Sequence, residues 1–183
     1  MNHHDMTRNM VLAALFAALT AIGAFLQIPT GTVPITLQFL FTALAGLLLG
    51  WKWGAVSQLL YVGIGLLGLP VFTQGGGIGY VLQPSFGFLL GLIPAAAVIG
   101  ALTARRTGYL TVLAAVLVGD LILYAVGVPY MYLILHVYMQ SAKTFPALLA
   151  AMLVYVPGDT LKIIVVMALA PVLRRTLAKA VPN

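Results

Sequence analysis

The chain has 183 residues, 62% of them hydrophobic and only 7% charged, and it contains no cysteine. Soluble domains carry roughly a quarter charged residues, so the composition excludes a globular core inside a solvated shell. The formal charge of +6 would suggest nucleic acid in a soluble chain, but here it collects at helix ends and reads as membrane topology, with no nucleic-acid partner expected; the missing cysteines exclude disulfides, thiolate metal sites and cysteine nucleophiles.

The apolar runs are continuous rather than alternating, which predicts an all-α integral membrane protein and not a barrel. Six transmembrane helices are expected in a single domain over residues 1–183. The first span covers about residues 7–27. It follows a polar start without a cleavage site, so it is read as a retained helix. Pro29, Gly31 and Pro34 stop it, because none of them continues a helix well. The second span, about 36–50, ends at Gly-Trp-Lys-Trp-Gly, and the third covers about 53–69. A glycine-rich stretch follows, from Gly68 to Gly87. The fourth span, about 86–104, ends at Arg105 and Arg106, and the fifth covers about 108–126. The aromatic segment from Gly127 to Pro146 is too short for a comfortable span and is expected at the interface, partly as a short helix. The sixth span covers about 147–174.

With a cytoplasmic N-terminus, Arg8, Lys52, Arg105, Arg106, Arg174, Arg175 and Lys179 all fall on the cytoplasmic side, and only Lys143 falls outside. That is a positive-inside pattern with both termini cytoplasmic. The outer connections hold nearly all the proline and glycine punctuation between spans, which places a ligand site near the outer face.

Asp159 and Lys162 stand three residues apart inside the sixth span, on one helix face. Each charge costs roughly 2.5–3.5 kcal/mol on insertion scales. An ion pair that only neutralises itself or locks two helices is one reading; a ligand-binding or ion-relay role is favoured, since apolar packing locks helices more cheaply. Pro157 and Gly158, just before the pair, are expected to loosen the helix. Asp120, in the fifth span, is a further intramembrane carboxylate, open to either a structural hydrogen bond or ligand contact. The glycine loop carrying Gly75, Gly76 and Gly79 is not a phosphate-binding motif; it is either plain flexible loop or a fold over a pocket whose backbone N–H groups meet a carboxylate or carbonyl. The alanine stripe Ala13, Ala17 and Ala21, with Ala14 and Ala18 beside it, suits either packing within the bundle or docking to another subunit. His3 and His4 at the terminus and His136 in the interfacial segment suggest no metal site, and no nucleophilic triad, zincin or nucleotide motif appears, so no catalytic residue is assigned.

Val33–Gly50, Leu59–Phe72, the glycine-rich loop and Val156–Lys162, in this order and spacing, resemble the BioY family of biotin-specific substrate-capture (S) subunits of energy-coupling-factor (ECF) transporters. The resemblance covers almost the whole chain. It implies a six-helix S-component fold in a prokaryotic cytoplasmic membrane, without cofactor or ATPase activity of its own. A transmembrane coupling subunit and two ATPase subunits would be the partners. Asp159 and Lys162 would then bind the ureido head of biotin, whose two N–H groups suit a carboxylate and whose C=O suits an ammonium. Phe72, Tyr80, Phe86 and Tyr155 are candidate walls for the ring and chain, and Gly75, Gly76 and Gly79 candidate amide donors. Where the family reads close to Gly-Pro-Thr-Gly-Gly-Tyr, this chain has Gln83-Pro84-Ser85-Phe86-Gly87-Phe88. Ser85 can replace a threonine hydroxyl, while Gln83 and Phe86 are bulkier than glycine. The small-residue motif that matches Ala13 and Ala17 would dock the coupling subunit. The alternatives are an S subunit for another small vitamin, or an intramembrane enzyme using Asp159 and Asp120. Lys162 argues against the second, since it would hold Asp159 ionised rather than poised for proton transfer.

Overall fold

The computed structural model describes residues 3–30, 33–106 and 108–179; Gly31 and the side chains of His3, His4 and Lys179 lie outside the described residues. The long elements are helical: α1 His3–Phe25, α2 Gln38–Leu66, α3 Phe86–Leu102, α4 Tyr109–Leu133, α5 Phe145–Ala151 and α6 Val156–Lys179. Two residue pairs form a small antiparallel ladder, β1 Gln27–Ile28 with β2 Ile35–Thr36. Among the described residues, four helical runs are long and apolar enough to cross a membrane, and α3 is a shorter apolar helix.

The element α2 is not one straight rod. Gly50 adopts φ 76°, a left-handed conformation that only glycine takes without strain. A Cβ on Gly54 would lie 2.9 Å from the Cα of Gly46, although eight residues of straight helix would separate them by about 12 Å. Thr42 also donates to Gln58, and Gln38 to Tyr61. The chain therefore reverses at Gly50 and its two arms, 38–49 and 51–66, pack antiparallel. Small residues set that distance: a side chain on Gly46 would also meet the Ala96 carbonyl of α3 at 2.5 Å. Polar groups between these helices are satisfied internally, as hydrocarbon demands. Gln58 bonds Thr20 of α1 as well as Thr42 and Ser57, and all four are fully buried.

The helix expected to end near Val126 continues instead through Pro129 to Leu133 and then through a π-helical turn, Ile134–Tyr138. Val128, Met131 and Leu135 keep one face buried against Leu148 and Met152, and that packing outweighs the local proline. After a loop, α5, a 3-10 turn at Met152–Tyr155 and α6 follow almost without a break. Pro157 lies in the first turn of α6, where its missing N–H costs nothing.

Contacts define the two ends of the bundle. At one end, a side chain on Gly100 of α3 would strike Trp51, and Arg174 of α6 donates to the Leu47 carbonyl. At the other end, β1 meets the loop after α2, with Gln27 donating to the Thr73 carbonyl.

Candidate functional site

The loop end holds a cavity closed by α2, α3, α4 and α6 at its sides and by both loops above. Asp159 and Lys162 reach it from the first two turns of α6 and are almost fully buried, at 6% and 8% exposure. Lys162 Nζ lies 2.5 Å from Asp159 Oδ1, so the pair expected from spacing is formed. Tyr124 of α4 donates its hydroxyl to the other oxygen, Oδ2. Both carboxylate oxygens therefore face fixed donors in a site from which water is largely excluded, where such bonds are strong.

The roof is drawn from distant sequence. The Tyr155 hydroxyl donates to the Val33 carbonyl at 2.5 Å and lies 2.9 Å from the Thr30 hydroxyl, tying the start of α6 to the β1–β2 connection. Val33, Pro34, Ile35 and Thr36 line the cavity from that connection, and Gln38 lines it from α2. Gln38 is itself held by Thr36 at 2.8 Å and donates to Tyr61 at 2.8 Å. From the second loop come Thr73, Tyr80 and Ser85; the Tyr80 hydroxyl is 2.8 Å from Thr73 and 3.4 Å from Ser85. Phe39, Phe88, Leu89, Leu92, Leu123 and Met152 make the remainder apolar. The site offers one ion pair, a few hydroxyls and amides, and hydrocarbon walls, which suits a small ligand with one polar head and an apolar body.

Of the residues expected from sequence, Asp159, Lys162, Tyr80, Ser85 and Tyr155 meet at this cavity. Phe72 and Phe86 stand behind it as core residues, in a row of ring contacts Tyr61–Phe72–Tyr80–Phe86–Tyr130 that supports Tyr80 from the rear. Gln83 ends the 3-10 turn Ile78–Leu82, half-buried, and its N–H bonds Tyr80. Gly75 has φ 108°, and its N–H is bonded to the Phe72 carbonyl, so that amide shapes the loop rather than facing the cavity. Gly76 fits tightly against Leu69, where a Cβ would come within 2.0 Å of the carbonyl, and Gly79 is exposed in the 3-10 turn. Ala13 and Ala17 are buried within the chain, so their small size serves helix packing; the alanines that α1 turns outward are Ala14 and Ala18. Tyr124, Gln38, Thr36 and Thr73 were not anticipated. Tyr124 carried one sequence signal, its i+4 spacing from Asp120.

A family model described as the BioY family matches residues 1–179. A probable biotin transporter BioY of Lysinibacillus sphaericus is 54% identical over 141 residues, covering 76% of this chain and 72% of that protein. The biotin transporter BioY of Rhodobacter capsulatus is 39% identical over 188 residues, with 97% of each chain covered. Among solved structures, an S-component for biotin from an ECF-type ABC transporter superposes with a TM-score of 0.84 at 29% identity, covering 96% of this chain and 95% of that one.

Proposed function

The chain belongs to the BioY family, and on that premise we propose that it is the biotin-binding subunit of an ECF-type transporter, using the cavity at the loop end as its capture site. The observation that carries the reading is the buried Asp159–Lys162 pair at the cavity wall, with Tyr124 behind it. Asp159 accepts the ureido N–H groups of biotin and Lys162 donates to its C=O. The thiophane ring and aliphatic chain pack on Phe39, Phe88, Leu89 and Tyr155. The ligand's carboxylate leads out between the two loops, towards the cleft lined by Gln27, Thr30, Thr73 and Gln74, where side-chain amides and hydroxyls replace the glycine amides expected from sequence.

The six-span topology with cytoplasmic termini is part of the proposal. Its support is the reversal at Gly50, which makes two short arms of one apolar run, and the gathering of Lys52, Arg105 and Arg174 at the end away from the cavity. The cavity then opens to the outside of the cytoplasmic membrane, the bundle docks a coupling subunit through α1, and two ATPase subunits supply the energy. The enzyme alternative is set aside: the relatives are transporters, and Asp159 is tied to Lys162 and Tyr124.

Binding of radiolabelled biotin to the purified chain tests the reading. Wild-type protein binds, and Asp159→Asn or Lys162→Ala weakens binding by about a hundredfold or more, because each leaves a buried partner uncompensated. Unchanged binding in both variants would overturn it.

A further inference from the structure

Asp120 has no place in the clamp described above, yet its Oδ1 is buried without a hydrogen-bond partner among the described residues. A buried, unpartnered carboxylate oxygen costs stability, so its position calls for a reason.

Helix register supplies one. The helices α4 and α6 run antiparallel. At one end Val112 and Ala170 line one cleft, in the middle Tyr124 meets Asp159, and towards the loop end Val128 packs with Met152. One turn from the Tyr124–Asp159 contact towards the basic end, α4 reaches Asp120 after about 6 Å and α6 reaches Lys162 after about 4.5 Å. Asp120 and Lys162 therefore stand level on facing helices. The i, i+4 spacing keeps Asp120 on the α4 face that Tyr124 turns towards α6. Asp120 is thus a second carboxylate on the level of the Lys162 ammonium, which itself pairs with Asp159 at 2.5 Å.

Resting on the reading of Asp159 and Lys162 as a ureido clamp, we propose that Asp120 is a positioning residue, the counter-charge to which the Lys162 ammonium turns when ligand takes Asp159. Without ligand, Asp159 holds Lys162 on one oxygen and Tyr124 on the other. A ligand offering two N–H donors draws on the same carboxylate. Lys162, aimed at the ligand's C=O, then needs opposite charge behind it. Asp120 supplies it from one turn below the wall that Leu123 and Tyr124 give to the cavity, without competing for the ligand. The free oxygen is a stability cost in the ligand-free state that capture of the ligand relieves.

The test compares Asp120→Asn, Asp120→Leu and Asp120→Glu in the purified full chain, by biotin titration and by melting without ligand. Asp120→Asn and Asp120→Leu are expected to lower affinity by about tenfold to a hundredfold, as for loss of one charge-assisted contact, while the ligand-free melting temperature holds or rises. Asp120→Glu is expected to restore most of the affinity. A structural role gives the opposite signature, with ligand-free melting and affinity falling together, and would overturn the proposal, as would wild-type affinity in Asp120→Asn. Failure of the wild type to bind biotin would overturn the clamp reading itself, and this proposal with it.

Discussion

Two charges in a hydrocarbon segment are the most informative residues of this chain, and the structure shows why a pair suffices where single charges would not. Lys162 neutralises Asp159, and Tyr124 completes the carboxylate, so the site is held in one geometry before any ligand arrives. Holding the acceptor in place reduces the ordering that binding must impose. The Asp–Lys pair was legible from spacing alone, whereas Tyr124 was not, because a tyrosine among apolar residues reads as ordinary packing until the facing helix is known. Tyr124→Phe removes one hydroxyl and keeps the ring. It is expected to weaken biotin binding by about tenfold, while melting without ligand shifts by only a few degrees. Calorimetric titration checks the first and a thermal scan the second. Retention of full affinity would mean that the carboxylate orients itself without Tyr124.

At the level of elements, hydropathy located the apolar segments, and glycine decides how they approach. The reversal at Gly50 was visible as punctuation, but its closeness, with Gly46 against both Gly54 and the Ala96 carbonyl, depends on contacts that no local pattern records. Gly46→Leu must push α3 away and is expected to cost about 1–3 kcal/mol, seen as a lower melting temperature in detergent. The bonding of the loop amides was out of reach for a related reason. Glycine allows a backbone to turn, and the turn that formed uses the Gly75 amide for the Phe72 carbonyl. The alanine stripe was legible as a stripe, but the side it presents was not. Since Ala14 and Ala18 face outward and Ala13 and Ala17 inward, Ala14→Trp is expected to leave biotin affinity of the isolated chain unchanged while abolishing uptake that requires the coupling subunit. Vesicle uptake with the partner subunits checks this; full uptake would move docking to another face.

For the whole molecule, the cavity is an object of tertiary structure. Its roof joins Val33 to Tyr155 across 122 positions, so the Val33–Thr36 wall was beyond any reading of neighbours in sequence. The distribution of charge was within reach, because basic residues at alternate turns report sidedness before packing is known. The chain has no cysteine, so single cysteines can report that sidedness directly. Lys143→Cys in intact cells is expected to react with a membrane-impermeant maleimide, and Arg106→Cys only after lysis; the reverse pattern would invert the proposed topology. The central claim, that the buried ion pair reads a ureido head, is tested most directly by competition against labelled biotin. An analogue that keeps the ureido ring but lacks the sulfur is predicted to compete within about tenfold, because it loses only apolar contact. The analogue with the ureido opened to a diamine is predicted to be weaker by about 10⁴-fold, since it leaves Asp159 and Lys162 without their partners. Equal competition by the diamine would contradict the account.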